Sequence, residues 1–162
     1  MCVVYDKINK EFSKRRKFFL LLLILSVFSP AIKAQENITV QQTLDYINQK
    51  FGGKYVVSIN YGVLIASYFD GETKYREDQS SIKELDANKV YYNAKAGMLL
   101  INCTNPQKKC VTREFLGKRL FYSRISFPVS YGQKTNDGLV KAFQHLIRLI
   151  NDKNYENSEP FE

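Results

Sequence analysis

The sequence predicts an α+β fold: an antiparallel curved sheet or partly open barrel of about six or seven strands, packed against two helices. Residues 139–150 carry apolar side chains at helical spacing, and residues 43–51 carry a shorter stripe of the same kind. The residues between them form short runs of alternating apolar and polar side chains separated by turn signals. Short turns favour antiparallel pairing, and two amphipathic helices need an apolar sheet face to cover.

The first 34 residues have the organisation of a cleavable secretory signal peptide. A basic cluster at 14–17 precedes the apolar run 18–28, and Ala34 is a small residue at the expected cleavage position. As a helix this run spans only about 17 Å, against about 30 Å for a bilayer core, which disfavours the alternative of a membrane tether. We therefore expect a signal peptide at 1–34, one globular domain at 35–151 and a polar tail at 152–162.

The expected location is the periplasm or the cell exterior, and the cleaved chain is not expected to be an integral membrane protein. The net charge of +8 is misleading, because residues 1–34 hold seven basic and two acidic side chains and so contribute +5 of it. The remaining +3 is ordinary for a soluble domain. Together with export, it argues against a nucleic-acid partner.

The N-terminal helix is predicted over residues 43–51, where Leu44, Ile47 and Phe51 share one face. Gly52-Gly53 should end it. Residues 55–69 predict one long strand, or two strands joined near 60–62.

The next turn signal is Asp70-Gly71, which leads into a more polar returning strand. Residues 80–88 are interpreted as a loop whose apolar residues Ile82 and Leu85 enter the core. Two strands are predicted at 89–94 and 97–103.

A last strand is predicted over residues 121–129, with Pro128 indicating an edge position or a strand end. The C-terminal helix is then expected to begin after Asp137 as N-cap. Its apolar stripe consists of Leu139, Phe143, Leu146, Ile147 and Ile150.

Cys103 and Cys110 flank a polar turn containing Asn105-Pro106, which predicts a hairpin with the two cysteines near each other. Export permits oxidation, so a Cys103–Cys110 disulfide is the leading prediction. Zinc would need further ligands, and a redox-active pair normally has two intervening residues rather than six. We therefore interpret the pair as structural.

Two short motifs carry a resemblance. Residues 43–48 read TLDYIN, and residues 142–147 read AFQHLI. With the β-meander between them, the chain resembles small uncharacterised secreted bacterial proteins with a helix, β-meander, helix layout. The order of strands followed by a final helix also looks like a pleckstrin-homology-like barrel. The resemblance implies a fold and a location, and it brings no catalytic residues.

The sequence contains no catalytic constellation, and we predict no catalytic residue, cofactor or metal site. His145 is the only histidine, and no nucleophile motif accompanies it. Residues 70–86 hold six carboxylates against three basic residues, interpreted as a solvated loop. The alternative is a small periplasmic hydrolase using a carboxylate pair drawn from Asp70, Glu72, Asp78 and Asp86.

Residues 106–124 form the candidate binding patch, because they hold six basic side chains against Glu114 alone. The six are Lys108, Lys109, Arg113, Lys118, Arg119 and Arg124. Phe115, Phe121 and Tyr122 are interleaved with them. Such a surface suits an anionic polymer, a lipid surface or an acidic protein, although basic residues also protect sheet edges. The sequence thus favours an exported, non-enzymatic binding module, with the hydrolase and a membrane-tethered envelope protein as alternatives.

Overall fold

The computed structural model describes residues 38–152. The predicted signal peptide at 1–34 and all of the predicted tail beyond residue 152 lie outside the described residues. The elements are helix α1 (Val40–Phe51), strands β1 (Tyr55–Asn60), β2 (Val63–Asp70) and β3 (Thr73–Ser81), a 3-10 helix (Ile82–Glu84), strands β4 (Leu85–Asn93), β5 (Met98–Cys103), β6 (Val111–Phe115), β7 (Lys118–Tyr122) and β8 (Arg124–Pro128), and helix α2 (Gln133–Asn151).

The strands form two antiparallel sheets rather than one. The larger sheet has the order β1-β2-β3-β6-β7, and the smaller has the order β4-β5-β8. The predicted α+β class with two helices packed on antiparallel strands is confirmed. Eight strands are present among the described residues, against six or seven expected, and the sheets do not close into a barrel.

Helix α1 begins three residues earlier than predicted because a capping box precedes it. Thr39 Oγ1 accepts a hydrogen bond from the backbone N–H of Gln42 at 3.2 Å, and Gln42 Oε1 accepts one from the N–H of Thr39 at 2.7 Å. The predicted end is confirmed, since Gly52 adopts the left-handed conformation with φ of 58°.

Helix α2 begins at Gln133, so the prediction of Asp137 as N-cap is wrong. Gly132 occupies the N-cap without a side-chain hydrogen bond, and its carbonyl accepts from the N–H groups of Thr135 and Asn136. The predicted apolar stripe is confirmed, because Leu139, Phe143, Leu146, Ile147 and Ile150 are all buried.

Five aromatic rings join the helices to both sheets. Phe127 of β8 lies 4.9 Å from Phe51, 5.4 Å from Tyr55 and from Tyr68, and 5.5 Å from Phe143 between ring centroids. These rings come from α1, β1, β2, β8 and α2. One continuous core therefore underlies the two sheets.

The predicted pairing across the cysteines is wrong, although the cysteine pair itself is present. Cys103 ends β5 and Cys110 directly precedes β6, and their sulfurs lie at disulfide distance with the Cα atoms 6.0 Å apart. However, β5 pairs with β4 and β8, whereas β6 pairs with β3 and β7. The Cys103–Cys110 link therefore connects the two sheets instead of closing a hairpin.

The single strand predicted over residues 121–129 is in fact two strands. Residues up to Tyr122 belong to β7 in the larger sheet, and residues from Arg124 belong to β8 in the smaller one. The backbone carbonyl of Ser123 accepts from Cys103 N–H at 2.9 Å, so the chain changes sheets there. The prediction that Pro128 lies at an edge or at a strand end is confirmed, because it is the last residue of the outer strand β8.

Candidate functional site

The six basic residues of the candidate patch occupy different environments. Lys108 forms an ion pair with Glu84, and Arg113 has only 13% of its side chain exposed. Lys109 and Arg124 are exposed on either side of the β6–β7 hairpin (residues 111–122). Lys118 and Arg119 are consecutive in β7, so their side chains leave opposite faces of the sheet.

Arg113 belongs to a buried ion cluster with Arg76 and Asp78. Its Nε and Nη2 donate to the two carboxylate oxygens of Asp78 at 2.7 and 2.8 Å. Arg76 donates its Nε to the same carboxylate at 2.9 Å, and its Nη2 makes a second contact. The side chain of Asp78 is fully buried, so two guanidinium groups surround one carboxylate.

A tyrosine ring packs against the guanidinium group of each arginine in the cluster. The guanidinium of Arg76 lies 4.0 Å from the ring centroid of Tyr68, and that of Arg113 lies 4.0 Å from that of Tyr122. Burial alone would raise the pKa of Asp78, but the hydrogen bonds from the two arginines outweigh it and hold this pKa below its ordinary value. Burial also raises the pKa of the Tyr68 hydroxyl well above its ordinary range.

The structure does not bring the four candidate carboxylates together. Asp70 and Glu72 lie at the β2–β3 turn, and Asp86 lies on β4 in the other sheet, ion-paired with Lys89 at 3.2 Å. Asp78 is part of the arginine cluster, so the interpretation of residues 70–86 as a solvated loop is wrong for β3. Among residues 38–152, no three histidine, cysteine or acidic side chains are grouped so that they could hold a metal ion.

His145 lies on α2, and no hydrogen bond links it to these carboxylates among the described residues. Its Nε2 lies 3.2 Å from the backbone carbonyl of Ile38, and the side chain is partly exposed. The geometry places no serine, threonine or cysteine in hydrogen-bond contact with it among the described residues.

The β6–β7 hairpin turns through only two residues, Leu116 and Gly117. Both have positive φ, 48° and 75°, as a type I′ turn requires. The strands on either side pair without interruption from Phe115↔Lys118 to Val111↔Tyr122. The hairpin therefore has a fixed register, with β7 as the outer strand of the larger sheet.

Exposed apolar side chains are concentrated in this hairpin. Ten large hydrophobic residues are exposed among residues 38–152, and five of them fall within the eight positions 115–122. They are Phe115, Leu116, Leu120, Phe121 and Tyr122, with exposures between 37% and 74%. Every residue of β7 is exposed. A cluster of this kind, with basic residues between the rings, is typical of an interaction surface.

A shallow groove of about 400 Å³ adjoins the tip of the hairpin. Its walls come from β3, from the hairpin turn and from the ends of β6 and β7 beside that turn, and they include Lys74, Glu77, Leu116 and Lys118. Hydrogen bonds, above all from Lys74 at 2.6 Å, lower the pKa of Glu77. The groove thus combines apolar surface with ionised groups of both signs.

Two features of this region were not predicted from the sequence. Leu116 and Leu120 were not linked to the basic patch, although the alternation of VTREF and KRLFY around Leu116-Gly117 is a hairpin signal. The Asp78–Arg113 pairing joins residues 35 positions apart, and no local pattern indicates it.

Among residues 38–152, no helix combines the length and the apolar character needed to cross a membrane. Comparison with protein-family models, with curated proteins and with solved structures gives no match. The resemblance to secreted bacterial proteins therefore stays a prediction, whereas the two sheets do not close into the barrel that a pleckstrin-homology-like fold would have.

Proposed function

We propose that this protein is an exported, non-enzymatic binding module and that the β6–β7 hairpin is its contact surface. The observation that carries the proposal is that positions 115–122 hold half of the large hydrophobic residues that are exposed among residues 38–152. Exposed aromatic rings lose water-accessible area when a partner covers them, which is the main source of binding free energy at such surfaces.

The exposed basic residues at this surface indicate a negatively charged partner. Lys118 and Arg124 are exposed, and neither has a carboxylate partner among the described residues. Arg119 is paired with Glu114 at 2.9 Å, but both side chains are more than half exposed, so the pair is weak. The hairpin and the adjoining start of β8 therefore present positive charge beside the apolar side chains, and an acidic protein, an anionic polymer or a lipid surface is the complementary partner.

Site-specific photo-crosslinking tests this proposal even though the partner is unidentified. The full chain is produced in an exporting host with a photoreactive phenylalanine analogue at position 121, and the mass of any adduct identifies a protein, a polymer or a lipid. Tyr61 is the matched control, because it is 99% exposed, has a positive φ of 46° and lies at the opposite end of the same sheet.

We expect an adduct at position 121 and none at position 61. Lys118→Glu should reduce the adduct yield by about tenfold, whereas Lys141→Glu on the exposed face of α2 should leave it unchanged. Equal adducts at both positions, or none at position 121, would contradict the hairpin as the contact surface.

A further inference from the structure

The four outer strands of the two sheets differ in how their free backbone groups are satisfied. On β1, the side-chain amide of Asn48 acts like a neighbouring strand. Its Oδ1 accepts from the N–H of Val57 at 2.7 Å, and its Nδ2 donates to the carbonyl of Val57 at 2.9 Å. Helix α1 thus covers the free edge of β1 and blocks further pairing there.

The edge of β8 is also occupied. Ser123 and Val129 pair with the β5 side, so the even-numbered residues between them face away from β5. Tyr68 donates its hydroxyl to the carbonyl of Ser126 at 3.1 Å, and Tyr55 donates to that of Pro128 at 2.5 Å. Burial raises the pKa of Tyr55 to about 12, so its hydroxyl keeps the proton that it donates.

Strand β4 is covered by α2, which packs against it. Gln144 of that helix donates its side-chain amide to the carbonyl of Val90 at 3.2 Å. Three outer strands therefore have side chains bonded to their backbone, and Pro128 removes a further N–H from β8.

Strand β7 has no such cover among residues 38–152. In a hairpin with a two-residue turn, the closing pair Phe115–Lys118 is hydrogen-bonded, and bonded pairs then alternate. The backbone groups of Arg119 and Phe121 consequently point away from β6. No hydrogen bond to them occurs in the described part of the chain, and all of β7 is exposed.

We infer that β7 accepts an extended, acidic segment of a partner protein as an additional strand of the larger sheet. The inference rests on the proposed function and names the partner's chemistry. The N–H and C=O groups of Arg119 and Phe121 would bond to the incoming backbone. Carboxylates of that segment would lie opposite Lys118 and Arg119, and its apolar side chains would lie opposite Leu120, Phe121 and Tyr122.

Charge and geometry favour this occupant over two others. A second copy of the chain would bring two basic hairpins together, and basic residues on an outer strand oppose that kind of self-pairing. A lipid surface would contact one face of β7, whereas Leu120 and Phe121 are exposed on opposite faces. A strand added at the edge would contact both.

The test selects binders from a phage-displayed library of short linear peptides on the full chain from an exporting host. Enriched peptides should place carboxylates next to β-branched or aromatic residues. Phe121→Pro removes an N–H that the fold does not use, and Phe121→Ala removes the same ring while it keeps that N–H. We expect the proline variant to bind the enriched peptide about tenfold more weakly than the alanine variant.

Hydrogen exchange by NMR provides a second measurement that needs no variant. Bound peptide should slow exchange at the amides of Arg119 and Phe121, and it should leave the already bonded amide of Val57 unchanged. Equal affinity of the two Phe121 variants, or unprotected amides in the bound state, would overturn strand addition while leaving the hairpin as a contact surface.

Three other outcomes would overturn an acidic partner segment as the occupant of the β7 edge. These are a failure to enrich any peptide, binding confined to vesicles of anionic lipid, and a dimer in sedimentation that Phe121→Pro dissociates. The crosslinking result at position 121 separates these failures from failure of the proposed function itself.

Discussion

The buried carboxylate of Asp78 accepts hydrogen bonds from two guanidinium groups, those of Arg76 and Arg113. Changing it to asparagine leaves the guanidinium groups of Arg76 and Arg113 close together without a counter-charge. We expect Asp78→Asn to lower the free energy of unfolding by about 3–5 kcal/mol, measured by urea denaturation at neutral pH. Glu114→Gln removes an exposed partner of Arg119 and is the matched control, with an expected loss of at most about 0.5 kcal/mol.

Because folding lowers the pKa of Asp78, the stability of the wild-type chain and that of Asp78→Asn should depend differently on pH. A carboxyl group whose pKa is lowered by folding stabilises the folded state above the unfolded pKa, about 3.9 for Asp. That stabilisation is lost as the pH falls from about 4 through the folded pKa. The wild-type chain should therefore lose stability over this acid range more steeply than Asp78→Asn. Parallel curves for the two proteins would contradict the assignment.

The features that could be predicted from the sequence are those for which individual residues give a local signal. The stripe of α2 was predicted because its five apolar residues repeat at helical spacing, and all five are buried. The starts of both helices were misplaced, because the capping box at Thr39–Gln42 was overlooked and Gly132 offers no side-chain signal. The buried role of Asp78 depends on Arg113, which lies on another strand.

At the scale of elements, the helices protect sheet edges as well as covering the core. Asn48→Ala should leave the backbone of the buried residue Val57 without its two side-chain partners. We expect the free energy of unfolding to fall by about 1–3 kcal/mol and the amide of Val57 to exchange faster in NMR.

Gln49→Ala is the control for this change, because Gln49 is the next residue in α1 and is exposed. It should alter the free energy of unfolding by no more than about 0.5 kcal/mol. If Asn48→Ala were equally neutral, the amide would not be protecting the edge of β1. The contrast with the uncovered edge of β7 would then lose its basis.

The strands could be predicted from the sequence where a short turn with characteristic residues separates them. Gly71 lies in the two-residue turn between β2 and β3, as the turn signal predicted. Of the two possibilities left open for residues 55–69, the structure has two strands, joined at Tyr61-Gly62. The assignment failed at residues 121–129, because apolar alternation continues across Ser123 while the chain passes from one sheet to the other. Period-2 alternation identifies a buried face, and it does not identify the sheet to which that face belongs.

At the scale of the whole molecule, the position of the disulfide determines which parts of the fold it connects. Sequence spacing suggested a staple within one hairpin, but Cys103 and Cys110 join the larger sheet to the smaller one. Nearby, Ser80 Oγ on β3 donates to the carbonyl of Cys110 at 3.0 Å, so this junction is anchored to the centre of the larger sheet. The link therefore holds the two sheets together beside the shared core.

This position predicts the effect of removing the disulfide. The Cys103→Ala/Cys110→Ala double variant should lose about 2.5 kcal/mol of unfolding free energy, the chain-entropy value for so short a loop. Because the link joins two sheets, hydrogen exchange should accelerate by a similar factor at Ala66 in the larger sheet and Ile101 in the smaller one. Reducing agent added to the variant should have no further effect. Acceleration confined to residues 104–110 would instead indicate a local staple, and the two sheets would then be held together by the core alone.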